Sequence, residues 1–179
     1  KKLKRKGFIA GKYEICYDEE NNADLVVRIP GDNPVPEPSE VDKIINFHLK
    51  NNIDGFSSNL AEINNSGYPD GIGAEVFDYK YLDLFIKKKL SEHEKEHIHL
   101  NFFNYQTKKI KNKKVPVKTI NCPNEFARPD LILDFNTYQQ YLFMKSLYEY
   151  LYPKNKEFGI LDIISWFENI YKNKYSINL

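Results

Sequence analysis

Asp24-Leu25-Val26-Val27-Arg28-Ile29-Pro30-Gly31-Asp32-Asn33-Pro34 is a short apolar run that stops in a proline- and glycine-rich turn, with a carboxylate just past the stop. The β-branched residues and the breakers that follow predict a short buried strand over Asp24–Ile29. In an open α/β sheet, ligands lie beyond the carboxyl ends of the strands. Asp32 is therefore the first candidate for chemistry.

Outward from this stretch the chain alternates in type. On the amino-terminal side, Tyr13, Cys16 and Tyr17 recur at helical spacing. After the proline-rich loop, Ser39 is expected to cap an amphipathic helix carrying Val41, Ile44, Ile45, Phe47 and Leu49. Asp54–Ser58 is the next strand, with Asn59 at its carboxyl end, and the breaker-rich loop Ala61–Gly73 follows. Ala74–Phe77 and Val115–Ile120 read as strands, and helices are expected through Leu82 and Ile86 and from about Glu92 to Tyr105. Leu131-Ile132-Leu133 stops at Asp134, which repeats the strand-end acid of Asp32. Helices over Tyr138–Tyr152 and Ile160–Ile170 close the chain, and Trp166 reads as a packing residue.

Composition narrows the class. The 179 residues, 41% of them hydrophobic, suit a single domain with a real core over 1–179, in which the basic residues 1–11 are expected to be a flexible start. With 26 basic and 25 acidic residues the net charge is +1, which provides no global field for nucleic acid or an anionic membrane. The run Lys108–Lys114 lacks interleaved aromatics and reads as a solvated connection. Cys16 and Cys122 are too few for a disulfide framework, and no apolar run approaches the roughly 18 residues of a membrane span. A cytoplasmic setting is expected.

Two acids at two strand ends suit a magnesium site, in which a few carboxylates hold the ion and substrate phosphates complete its shell. Strand-end aspartates also cap helices, and Asp134 precedes one. A different metal pattern lies at His93-Glu94-Lys95-Glu96-His97, which matches H-E-x-x-H. On a helix this spacing sets two imidazoles on one face for zinc, with Glu94 as general base. Charged residues within and before the motif, and His99 standing too close for a third ligand, favour a polar helix carrying substrate contacts.

Taken together, the blocks form a series. Val27-Arg28-Ile29-Pro30-Gly31-Asp32-Asn33-Pro34, Ser58-Asn59, Tyr68-Pro69-Asp70-Gly71 with Glu75-Val76-Phe77, Glu94-Lys95-Glu96-His97, and Arg128-Pro129-Asp130-Leu131-Ile132-Leu133-Asp134 follow in order from about Ala23 to Tyr152. In that order and spacing they resemble the cytidylyltransferase family of CMP-Kdo synthetases, in particular its branch for spore-coat polysaccharide biosynthesis.

The resemblance implies a Rossmann-like α/β nucleotidyltransferase fold of the glycosyltransferase-A kind, a sheet with flanking helices. It implies transfer of CMP from CTP to a sugar, an acidic one by family habit, with release of pyrophosphate and magnesium as cofactor. Asp32 and Asp134 would be the catalytic metal ligands. Arg28, Asn33 and Asn59 would line the nucleotide and sugar cleft, and Asp70, Gly71, Glu75, Glu96 and His97 would shape the sugar pocket. A homodimer is the expected assembly. The family opens with a glycine-rich loop that cradles phosphates at a helix N-terminus. Only Gly7 and Gly11 precede the Asp24 strand here, so the first β-α-β unit is expected to be missing. A shortened, non-catalytic homologue that dimerises with a complete enzyme, and more remotely a zinc hydrolase using His93, Glu94 and His97, are the alternatives.

Overall fold

Tyr13–Tyr17, expected as a helix, is a strand. The structure, a computed structural model, describes residues 24–60 and 66–173 together with the backbone of 6–10, 13–17 and 174–175. β1 (Lys6–Ala10) pairs antiparallel with β2 (Tyr13–Tyr17), Ala10 opposite Tyr13 and Lys6 opposite Tyr17. Tyrosine and isoleucine favour strands, and in sequence the intervening Gly11-Lys12 is the glycine-first pair suited to a two-residue hairpin. The other residues of the expected flexible start, 1–5 and 11, lie outside the described residues.

β3 (Leu25–Arg28) leads through a turn, closed by the Asn33 amide donating to the Pro30 carbonyl at 3.1 Å, into α1 (Pro38–Lys50). The cap of α1 is Glu37 rather than Ser39. Pro38 fits the first helical turn, where its missing N–H leaves nothing unpaired, and so moves the start forward. β4 (Phe56–Ser58), β5 (Glu75–Asp78) and α2 (Tyr79–Ile86) follow. The long helix expected from Glu92 is cut short. α3 (Glu92–Glu96) ends where His97 leaves helical geometry at φ −111° and ψ 74°, a 3₁₀ turn spans Ile98–Asn101, and the chain turns back as the hairpin β6 (Phe103–Asn104) and β7 (Lys109–Ile110). β8 (Val117–Lys118) is shorter than expected because Pro116 has no amide to give, although its carbonyl accepts from Phe56 N–H at 2.9 Å. Leu131–Leu133 contributes only a bridge, Ile132 beside Asp70. α4 (Tyr138–Leu151) and α5 (Ile160–Trp166) are followed by a π turn at Phe167–Tyr171 and α6 (Lys172–Tyr175).

The sheet runs β3-β5-β4-β8, and β5 is antiparallel to both neighbours while β4 and β8 are parallel. The carboxyl ends of β3, β4 and β8 therefore share one edge with the amino end of β5. β3 is an outer strand and half-exposed, with Val27 at 39%, where a buried one was expected. Alternation divides β5 between two faces. Phe77, opposite Phe56, packs with Leu82, Phe85, Ile98 and Phe102, whereas Val76 packs with Ile44 of α1. A further cluster joins Tyr68, Ile72, Leu131 and Leu133 to Met144, Leu147, Ile163 and Trp166 of α4 and α5. Trp166 is indeed a packing residue.

Phe102 is the centre of the aromatic face, its ring centroid 5.0 Å from Phe56, 5.2 Å from Phe77 and 5.1 Å from Phe85. Phe102→Ala should cost about 3–5 kcal/mol, because the surrounding rings cannot close the void. Urea unfolding of the two proteins checks this value.

Candidate active site

The shared sheet edge opens into a cavity of about 350 Å³. Its floor is an ion pair. Arg28 and Glu75 are register partners at the ends of β3 and β5, and Arg28 Nη1 stands 2.8 Å from Glu75 Oε2. Glu75 is fully buried, whereas 19% of the Arg28 side chain is exposed. The Glu75 Oε1 oxygen accepts from the Tyr105 hydroxyl at 3.2 Å and lies 3.4 Å from His99 Nδ1. With the Tyr105 proton given to Glu75, the Ser58 hydroxyl, 3.3 Å away, donates to the Tyr105 oxygen, so the network crosses to β4.

Burial by itself would raise the Glu75 carboxyl, but the Arg28 charge and the His99 contact outweigh it and hold the group below the ordinary glutamate value. Burial likewise opposes the Arg28 charge, and Glu75 more than offsets it. Burial and then the Glu75 charge push the Tyr105 phenol well above its ordinary range. His97, at the cavity wall, is lowered by burial and then by its neighbours His99 and His93.

The two strand-end acids meet in this cavity. A main-chain bond from Phe135 N–H to the Asp32 carbonyl at 3.1 Å ties the turn after β3 to the segment after Leu133. Asp70 joins through the bridge, its amide donating to the Leu131 carbonyl and its carbonyl accepting from Leu133 N–H, each at 3.0 Å. Asp134 Oδ1 accepts from Gln140 Nε2 at 3.0 Å and Oδ2 from Asn136 Nδ2 at 2.8 Å, which fixes its carboxylate against the start of α4. The helix cap there is Thr137, not Asp134: Thr137 and Gln140 form the capping box.

Of the residues expected to act, Asp32, Asp134, Arg28, Asn33, Asp70, Glu75, Glu96 and His97 line the cavity. Asn59 does not. Its side chain is wholly buried, Nδ2 donating to the Glu40 carbonyl at 2.9 Å and Oδ1 accepting from Ala74 N–H at 2.9 Å, so it braces the main chain beneath the site. Gly71 is also outside the lining and has a backbone role. Its φ is +93°, and a Cβ there would come within 2.8 Å of the Leu133 carbonyl carbon. Residues 61–65 of the breaker-rich loop lie outside the described residues.

Glu94 has a local duty instead of a basic one. It closes the capping box of α3 with Ser91, Oε2 accepting from Ser91 N–H at 3.0 Å, while Lys111 holds Oε1 at 3.3 Å. His97 N–H still closes the last turn onto the His93 carbonyl at 2.9 Å and the two rings stand 4.7 Å apart edge to face, but Glu94, the base of the zinc pattern, is committed to the cap. Among the described residues no group of three or more His, Cys, Asp or Glu side chains could hold a metal ion alone. Lining residues that went unrecognised in the sequence are His99, Tyr105 and Asn136. No local pattern marks the first two: His99 lies in the 3₁₀ turn that replaces the expected helix, and Tyr105 is returned to the cavity by the chain reversal after Asn101.

No family model matches the chain. A solved cytidylyltransferase from Leptospira borgpetersenii serovar Hardjo-bovis superposes with a TM-score of 0.63 and 23% identity, over 89% of this chain and 62% of its own. The chain carries the fold of a cytidylyltransferase. An uncharacterised protein of Methanocaldococcus jannaschii is 31% identical over 77 residues, which cover 43% of this chain and 29% of that protein. The chain thus spans under two thirds of either relative's length. No helix of the described residues is long and apolar enough to cross a membrane.

The ion pair makes stability depend on acid. A carboxyl lowered in the folded state stabilises above its unfolded value, here 4.5, and loses that contribution as pH falls through the lowered one. Glu75→Gln should cost about 3–5 kcal/mol near neutral pH by leaving Arg28 unpaired. The gap from wild type should shrink below pH 4.5, where protonated Glu75 resembles glutamine, as denaturant titrations across pH would show. Asn59→Ala strips the buried Ala74 amide of its acceptor and should cost about 1–3 kcal/mol in the same measurement.

Proposed function

We propose that the protein is a nucleotidyltransferase that moves CMP from CTP to a sugar, as CMP-sugar synthetases do, and releases pyrophosphate. The observation that carries this reading is the meeting of Asp32 and Asp134, far apart in sequence, in one polar cavity at the strand ends of a cytidylyltransferase fold. The acidic sugar, the role in surface polysaccharide or glycan synthesis, the cytoplasmic setting and the homodimer belong to the same reading through the sequence resemblance.

In this reading a sugar hydroxyl attacks the α-phosphorus of CTP and pyrophosphate departs. Positioning and electrostatics dominate such transfers, with little covalent work for the protein. Arg28, Asn33, Asp70, Glu96 and His97 are the cavity residues available to orient the nucleotide and sugar. Asp32 and Asp134 would hold the magnesium ion. The donor set fits a magnesium ion, which takes one or two carboxylates and draws its other oxygens from water and substrate phosphates. When bound, the ion neutralises phosphate charge. Asp134 is suited to its part because the Asn136 and Gln140 amides already set its orientation.

The protein expressed from its complete coding sequence and given CTP, magnesium and a panel of acidic and neutral sugars should release pyrophosphate. Asp32→Asn should reduce release by at least about 100-fold, the scale of one lost electrostatic stabiliser, with an unchanged thermal midpoint. Undiminished release by that variant removes Asp32 from the metal site, and no release by the wild type with any sugar removes the proposed activity.

A further inference from the structure

His99 lies outside every motif read in the sequence, yet it lines the cavity with 13% of its side chain exposed. Its Nδ1 is buried and makes no hydrogen bond among the described residues, and Glu75 Oε1 faces it at 3.4 Å. A carboxylate at that position selects the tautomer with the proton on Nδ1 and leaves Nε2 as the atom able to accept one. The Tyr105 ring packs against the imidazole at 4.5 Å between centroids, and Tyr105 is itself anchored to Glu75 and Ser58, so the ring plane is held from the side. This is the arrangement of a base oriented by a third group.

We infer that His99 is the proton acceptor for the attacking sugar hydroxyl, with Glu75 as the residue that orients it. The inference rests on the proposed nucleotidyl transfer. In the step, the hydroxyl oxygen forms a bond to the α-phosphorus as its proton passes to His99 Nε2. The bond from the α-phosphorus to the oxygen bridging to the β-phosphorus breaks, and its electron pair leaves with pyrophosphate. The imidazolium then returns its proton to solvent.

Glu75 serves the imidazolium because its carboxylate is ionised and buried, where charge interactions are screened least. The groups facing His99 are Glu75 of β5, Tyr105 after β6 and the His97 ring, 5.6 Å away at the start of the 3₁₀ turn; Arg28 of β3 acts on it through Glu75. His97 also lines the cavity, but among the described residues no carboxylate contact orients its ring: it packs edge-on against His93 and His99. The geometry therefore separates the two histidines, His99 for proton transfer and His97 for contact.

The test uses the full-length protein with CTP, magnesium and whichever sugar supports pyrophosphate release. His99→Gln should lower kcat about 100- to 10,000-fold, the usual contribution of a general base, with the KM for CTP nearly unchanged and the acidic limb of the kcat profile gone. His99→Gly should regain part of its lost kcat with added imidazole, while His97→Gln should raise KM and keep that limb. A His99→Gln enzyme within threefold of wild type, or one that keeps the acidic limb, overturns the inference while the transfer activity stands. A His99→Gly enzyme that imidazole does not help also overturns it, because a merely structural loss is not repaired that way. Absence of transfer by the wild type overturns the functional reading and this inference with it.

Discussion

Arg28 and Glu75 face one another across the first two strands of the sheet at its open end, and their ion pair is the constraint on which the cavity depends. A buried carboxylate is costly unless it is paired and its oxygens are satisfied. Glu75 meets that condition by drawing in Arg28, Tyr105 and His99 from three separate segments, each brought to the same edge. The pair therefore does more than fix register. Through the Tyr105 hydroxyl it also holds the hairpin after the 3₁₀ turn, and Tyr105 and His99 line the cavity on that side.

The other wall is made by main chain. The turn after β3, the Asp70 bridge and the segment ending at Asp134 are joined by backbone hydrogen bonds from Phe135 to Asp32 and between Asp70 and Leu131 and Leu133. Gly71 lets these segments approach closely, and Asn59 braces them from below with both ends of its amide. The acids gathered on this wall are set by a scaffold that side-chain chemistry alone would not produce. The C-terminal helices secure it further, since the Tyr148 hydroxyl holds the Pro34 carbonyl at 2.9 Å and the Ile160 amide donates to Glu37 at 3.1 Å.

Much of the framework was legible from periodicity. The strands near Leu25, Phe56 and Glu75 and the helices α1, α2, α4 and α5 follow their apolar patterns, and the strand-end rule led to Asp32 and Asp134. Errors fell where local signals compete. Tyr13, Cys16 and Tyr17 fit a helical period by chance, although β-forming residues and a hairpin pair dominate there. The helix expected from about Glu92 to Tyr105 stops at Glu96. Asn59, next to a strand end, looked like a ligand contact and is a brace, because position along the chain does not say whether a side chain points into the cavity or beneath it.

By itself, then, the sequence determined the type of most elements and the acids at their ends, since both follow from residue identity and local spacing. Only the tertiary structure decided that β5 runs antiparallel to its neighbours, that Glu75 is buried against Arg28, and that His99 and Tyr105 share its oxygen. Strand order, burial and the partner of a charge depend on residues remote in the chain. They are settled when several segments compete for the same buried surface, and no stretch of the sequence carries that information alone.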